Sequence, residues 1–422
     1  MKYQTFLIFI GLFITFVRPC VASSLPDSVT VYASGLESPI GIEIDDQGRL
    51  WVAESGTGND DSQVSIVTTD GQVHSFLVGL PSELVFGDPT GAMHIHFDVN
   101  GDLLIVQGGG VDSLSASIFR VDTSGFSPGD PPLGVGNIQA VYDIGTFVLG
   151  QGFAESNPFR VAIGPNDDLF ITDAGANVII QRERSTGELS VFVTFDPIGS
   201  GDAVPTGIVY AGNSFYVGVL TGFPYTQGTA KVYEVDLSGN VSIFRDGLTA
   251  VVDLAVDPRD SNLVVLQHGG TQPNAGGIYK LLSGGVTDTL ADGLNFPTGM
   301  HFNSSGDLFV SAFNDGQILK VTSTITSVPT SPGLPEGFVL QQNFPNPFNP
   351  STIIKFSIPT ESFTTLKVYD VLGNEIEELV NEQLPAGNYK FNFIADNLPS
   401  GIYFYKIQAG EFVETKKMVL LR

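Results

Sequence analysis

Between residues 28 and 324 the chain passes six times through one pattern, and that recurrence limits the fold more than any other feature. The unit is a turn, an apolar strand, a polar turn and a second strand. It reads Pro39-Ile-Gly-Ile-Glu-Ile-Asp-Asp-Gln-Gly-Arg-Leu-Trp-Val-Ala-Glu54 and returns as Pro297-Thr-Gly-Met-His-Phe-Asn-Ser-Ser-Gly-Asp-Leu-Phe-Val-Ser-Ala312. Weaker copies begin at Pro89-Thr-Gly91, Pro158-Phe-Arg160, Pro205-Thr-Gly207 and Val251-Val-Asp253. A third strand follows, as in Lys231-Val-Tyr-Glu-Val-Asp236, and then a fourth, as in Val73-His-Ser-Phe-Leu-Val78. Alternation of apolar and polar residues between Gly, Asp and Asn turns predicts strands rather than helices. Four strands per repeat is the blade of a propeller.

The sixth unit stops after its third strand, near Ile318-Leu-Lys-Val321. The segment Val29-Thr-Val-Tyr-Ala-Ser-Gly-Leu36 carries the Gly-Leu ending of the fourth strands at Leu80, Leu248 and Leu294. It can therefore complete the last blade and leave no open sheet edge between the chain's ends. The expected fold class is all-β: a six-bladed β-propeller followed by a C-terminal immunoglobulin-like β-sandwich. The second unit is expanded by Gly125-Phe-Ser-Pro-Gly-Asp-Pro-Pro-Leu-Gly-Val-Gly136, which is either a functional loop or an insertion tolerated at the rim.

The flanks differ in character. Residues 1–22 hold Lys2, an apolar run from Phe6 to Val17 and Cys20-Val-Ala22, and read as a secretory signal peptide. Arg18-Pro19 before Cys20 argues against lipidation, and cleavage after Ala22 leaves a chain without cysteine, hence without disulfides or thiol nucleophiles. No later stretch is apolar for long enough to span a membrane as a helix. The propeller is expected over 23–324, a Ser/Thr/Pro linker over 325–335 and a small sandwich over 336–422. A net charge of −26 repels the phosphates of nucleic acid and anionic lipid, so neither is an expected partner.

In the last segment, Asn343-Phe-Pro-Asn-Pro-Phe-Asn-Pro-Ser-Thr352, Leu366-Lys-Val-Tyr-Asp-Val-Leu-Gly-Asn374 and Pro399-Ser-Gly-Ile-Tyr-Phe-Tyr-Lys406 resemble the type A C-terminal sorting domain of type IX secretion cargo. The resemblance implies recognition by the type IX secretion machinery, a secreted or cell-surface location and removal of the tail on export. The repeats resemble NHL-like propellers, and Pro39 to Gly58 is most similar to the ScyD/ScyE family. That resemblance implies a secreted propeller without an assigned reaction.

The motifs of familiar enzymes are absent: there is no Gly-x-Ser-x-Gly elbow, His-Glu-x-x-His pair, phosphate loop or EF-hand spacing. No catalytic or cofactor-binding residue is assigned. Aligning the units by their glycine turns places Glu43, His96 and His301 in one column of the first strand, opposite Ala162, Val209 and Ala255. Imidazoles and a carboxylate near a propeller axis suit ligand binding, acid–base work or a divalent metal; they also suit hydrated channel groups. A column at the end of the second strand holds Glu54, Gln107, Asp173 and Gln267. Glu54 and Asp173 are weaker metal candidates, with turn-amide hydrogen bonding as the alternative. His94 would join the first column only by reaching the channel. The leading expectation is a binding or interaction module for a glycan, small molecule or protein. The alternatives are a metal-dependent hydrolase or lyase in the channel and a purely structural adhesion ring.

Overall fold

The computed structural model describes residues 29–85, 87–199, 201–282, 285–322, 337–343, 346–348, 351–384, 387–395, 398–410 and 412–421. The expected signal peptide and most of the linker lie outside them. The chain divides into two compact units, residues 1–323 and 324–422.

The first unit is built from six sheets of at least four strands each, in the order of the sequence repeats. The first sheet runs Pro39–Ile44, Leu50–Glu54, Ser62–Val67 and Val73–Leu80, each strand antiparallel to the last. Its turns explain the polar spacing of the repeat. Asp45 Oδ1 accepts the Gln47 and Arg49 amides, and Gly48 takes a φ of 75° that closes the turn. Asp98 and Asn303 accept amides in the same way in the second and sixth sheets.

The sixth sheet draws its outer strand from the other end of the unit: Val29–Ser34 pairs antiparallel with Gln317–Val321. The first strands of the six sheets touch one another in sequence order, and Pro297–Phe302 of the sixth packs against Pro39–Ile44 of the first. Threonine hydroxyls, Thr172 from a second strand and Thr206 and Thr298 from first strands, reach the inner strand of the next sheet across the boundary. Thr172 donates to Thr206 O, Thr206 to Val251 O, and Thr298 to Pro39 O at 2.8 Å, the last joining sixth sheet to first.

The second repeat departs from the others in two places. Its inner strand begins at Ala92, and Asp88–Thr90 pairs with Glu83–Val85 in a short hairpin. The expanded segment of that unit sends Leu133–Gly134 to pair in parallel with the outer strand of the first sheet, then supplies the second sheet's own outer strand, Ala140–Asp143. Asp143 caps the helix Ile144–Gly150 that follows by accepting the Thr146 amide.

The second unit has a three-stranded and a four-stranded sheet around one core that includes Phe356, Leu366, Tyr405 and Ile407. Glu375–Leu384 is a strand that alternation alone did not reveal, because Glu377-Glu378 interrupts its apolar–polar alternation. The proline-asparagine motif is anchored to the ends of the fold. Asn343 N donates to Tyr405 Oη, Asn346 Oδ1 accepts the Val419 amide, and buried Phe348 exchanges backbone bonds with Val419 and Leu421. Tyr403 Oη donates to Pro399 O, which fixes the Pro-Ser-Gly-Ile-Tyr corner.

Candidate functional site

The six inner strands share one register against their neighbours: Pro39 faces Glu54, Ala92 faces Gln107, Pro158 faces Asp173, and the other three follow. Side chains two residues apart therefore form stacked levels along the inner strands. One level holds Glu43, His96, Ala162, Val209, Ala255 and His301, and all six line a single cavity of about 380 Å³. The level beneath it holds Gly41, His94, Arg160, Gly207, Asp253 and Gly299.

At the upper level the structure brings the three polar candidates together. His96 Nδ1 lies 2.6 Å from Glu43 Oε2, and His301 Nε2 lies 3.3 Å from Glu43 Oε1. Burial alone would push the Glu43 carboxyl up, but His301 and His96 hold it down to about 2. An ionised carboxylate only accepts, so His96 Nδ1 carries the proton and, in the neutral ring, Nε2 keeps its lone pair. Burial pushes His301 down, against the pull of Glu43. This side of the cavity can accept and donate hydrogen bonds or take a proton. Ala162, Val209 and Ala255 make the opposite side apolar.

Arg160 and His94 line the cavity at this level, and Asp253 is the buried partner of Arg160. The Arg160 guanidinium reaches from the third sheet to the Asp253 carboxylate on the fifth, passing the fourth, where Gly207 carries no side chain. Asp253 also accepts the Leu254 amide at 2.7 Å and the Met300 amide at 2.9 Å. Burial pushes Arg160 down to about 10, and Glu43 pulls it back up. His94, beside it in the second sheet, is 3% exposed, and neither ring nitrogen has a hydrogen-bond partner among the described residues. Burial and the positive Arg160 hold His94 well below the usual imidazole range, so it is neutral. It reaches the cavity, as its position two residues before His96 requires.

Glycines at this level let adjacent sheets close on one another. A Cβ on Gly41 would stand 2.7 Å from His94 Cα, and one on Gly299 would stand 2.1 Å from Ile40 O. The Arg160–Asp253 pair was missed from sequence, although a signal existed. Arg160 and Asp253, like His94, stand where Gly41, Gly207 and Gly299 stand in the other three inner strands.

The second column has another fate. Glu54 Oε2 accepts the Glu37 amide at 2.5 Å, and Asp173 accepts the Asn157, Gly175 and Ala176 amides and the Ser156 hydroxyl. Gln107 and Gln267 likewise bind the Pro81 carbonyl and the Thr249 amide. These side chains tie down the loops entering each sheet. Burial pushes the carboxyls of both Glu54 and Asp173 up. His268 is buried against Phe296, and burial lowers it to about 4.

A divalent metal does not fit the upper level as it stands. The Glu43 oxygens are directed at His96 and His301, and no group of three or more His, Cys, Asp or Glu side chains among the described residues is arranged to hold an ion.

Residues 342–421 match the family model of the secretion system C-terminal sorting domain. The tail makes this an exported protein. It is handled by the type IX secretion machinery and is secreted or held at the cell surface. Among the described residues no helix is long and apolar enough to cross a membrane. No curated protein matches the chain. Solved structures match part of the chain at low identity. A protein of unknown function from Bacteroides thetaiotaomicron is 14% identical over 69% of this chain and 74% of its own, with a TM-score of 0.51. An inactive variant of virginiamycin B lyase from Staphylococcus aureus, solved with quinupristin, is 14% identical over 67% and 94%, with a TM-score of 0.43. A gluconolactonase from Xanthomonas campestris is 13% identical over 69% and 88%, with a TM-score of 0.44. At such identities the likeness concerns the fold alone, which is nearly all-β and propeller-like.

Proposed function

We propose that the exported chain is a binding module whose site is the cavity at the middle of a closed six-bladed β-propeller of the ScyD/ScyE kind. In this reading residues 1–22 are a cleaved signal peptide, 23–324 the propeller, 325–335 a linker and 336–422 an immunoglobulin-like sorting domain. Glu43, His96 and His301 are the polar contacts for a small ligand. One observation carries the proposal: the cavity has a hydrogen-bonding side and an apolar side, the division typical of small-molecule sites. A ligand-observed NMR fragment screen on the full chain tests it. Hits are expected, and Val209→Trp or Ala255→Trp, which fill the cavity, should abolish them. A screen without hits, or hits indifferent to both fillings, would remove the cavity as the site.

The alternative, a metal-dependent hydrolase or lyase, requires Glu43 to leave its histidines for an ion. Stoichiometric metal in the purified full chain, with melting lowered by chelation, would favour that reading. Absence of both would count against it.

A further inference from the structure

Each histidine of the upper level turns one ring nitrogen to Glu43 and keeps the other for the cavity. His96 Nδ1 lies 2.6 Å from Glu43 Oε2, and His301 Nε2 lies 3.3 Å from Glu43 Oε1. A charged carboxylate only accepts, so in the neutral rings these two atoms hold the protons. The outer atoms, His96 Nε2 and His301 Nδ1, then carry lone pairs. Neither has a hydrogen-bond partner among the described residues, and neither is sealed from solvent. The two side chains are 32% and 29% exposed, and both line the cavity. This pair therefore offers the cavity two acceptors and no donor. A ligand meets it by donating.

The charges decide between classes of donor. Glu43 stays ionised behind both rings, its carboxyl held down to about 2, and neutral histidines leave that negative charge unbalanced. Arg160, the cation that lines the cavity, is matched by Asp253. At His301 the pull of Glu43 outweighs the push of Arg160. The chain as a whole carries −26, which draws cations towards it. An anion would meet two lone pairs and a carboxylate; an ammonium group meets the same atoms with both its charge and its N–H bonds matched. Ala162, Val209 and Ala255, on the opposite side, suit an apolar body rather than a second charge.

Taking the cavity as the binding site, we infer that it takes a primary amine in its ammonium form on an apolar body, with N–H bonds accepted by His96 Nε2 and His301 Nδ1. Glu43 fixes the tautomers of both rings and supplies the charge behind them. Ala162, Val209 and Ala255 cover the apolar body. Specificity then rests on which ring atoms are free, since the same histidines with their protons turned to the cavity would favour an acceptor.

The test is isothermal titration calorimetry on the full chain at about pH 8, where an ordinary imidazole is neutral and a primary amine still charged. Four probes share one apolar body: benzylamine, benzyl alcohol, benzoate and benzyltrimethylammonium. Benzylamine is expected to bind, and Val209→Trp to abolish its binding. Benzyl alcohol, which lacks the charge, and benzyltrimethylammonium, which lacks the N–H bonds, should each bind about tenfold more weakly or worse, and benzoate weakest of all. His96→Phe and His301→Phe should each weaken benzylamine by about tenfold, with near-UV circular dichroism to report that they fold. Should neither fold, the ratio of benzylamine to its quaternary analogue reads the same acceptors in the unaltered chain. Benzyl alcohol or benzoate binding as tightly as benzylamine would overturn the ammonium ligand. The quaternary analogue binding as tightly, or benzylamine indifferent to folded histidine variants, would overturn the acceptors. No binding of benzylamine, alongside fragment hits lost in Val209→Trp, would overturn this inference and leave the cavity as the site. Failure of both would remove the site itself.

Discussion

The inner strands and the ends of the second strands both turn ionisable side chains away from solvent, yet only one of these columns is available to a ligand. Asp173 is surrounded by three backbone amides and a hydroxyl from the loop that enters its sheet. Glu43 is held by two histidines that themselves border open space. Residue type does not separate them, since each column contains carboxylates. Saturation does: a carboxylate whose acceptor positions are filled by local amides is a structural clamp, whereas one that orients other titratable groups beside a cavity is part of a site.

Three substitutions sharpen that contrast. The largest effect is expected from Arg160→Met, which leaves Asp253 as an uncompensated charge in the interior and should cost about 3–5 kcal/mol in urea unfolding of the first unit. If stability is unchanged, Asp253 does not depend on Arg160 to balance its charge. Next comes Asp173→Ala. It strands several buried amides and should cost about 3 kcal/mol while leaving ligand binding in the cavity intact. A binding loss at unchanged stability would place the second column in the site.

The smallest stability effect, and the most diagnostic, belongs to Glu43→Gln. The Glu43 carboxyl titrates near 2 in the folded chain, below its ordinary value of 4.5. Its contribution is therefore complete above that ordinary value and lost as the pH falls toward 2. The variant should be less stable than the parent at neutral pH, by at most the ~3 kcal/mol that the shift sets, and the gap should close on acidification through that window. A gap independent of pH would mean that the two histidines do not hold the carboxylate in its charged form. Binding should fall in this variant, the reverse of the Asp173→Ala result.

Much of this was legible in the residues. The glycine turns align Glu43, His96 and His301 because period-two alternation and a repeated register are local properties of the chain. The swapped outer strand was legible for the same reason, since Val29–Ser34 carries the pattern of the strands it replaces. Local pattern failed where a segment's partner lies outside its own unit. Leu133–Gly134 pairs with the neighbouring sheet, and Asp88–Thr90 with a hairpin strand just before it. His94 could be placed on the right face, but not its lack of hydrogen-bond partners, which depends on what every adjacent sheet brings.

The sequence by itself determined the strand repeats, the level on which each inner side chain stands, and export through the C-terminal sorting domain. Each follows from short-range alternation, turn chemistry or a contiguous motif. Only the tertiary structure decided that Arg160 spends its charge on Asp253 two sheets away, that Glu54 and Asp173 serve their loops, and that His94 is buried without a hydrogen-bond partner among the described residues. Those outcomes depend on distances between strands far apart in the chain and on which polar atoms arrive there first. No local pattern encodes either.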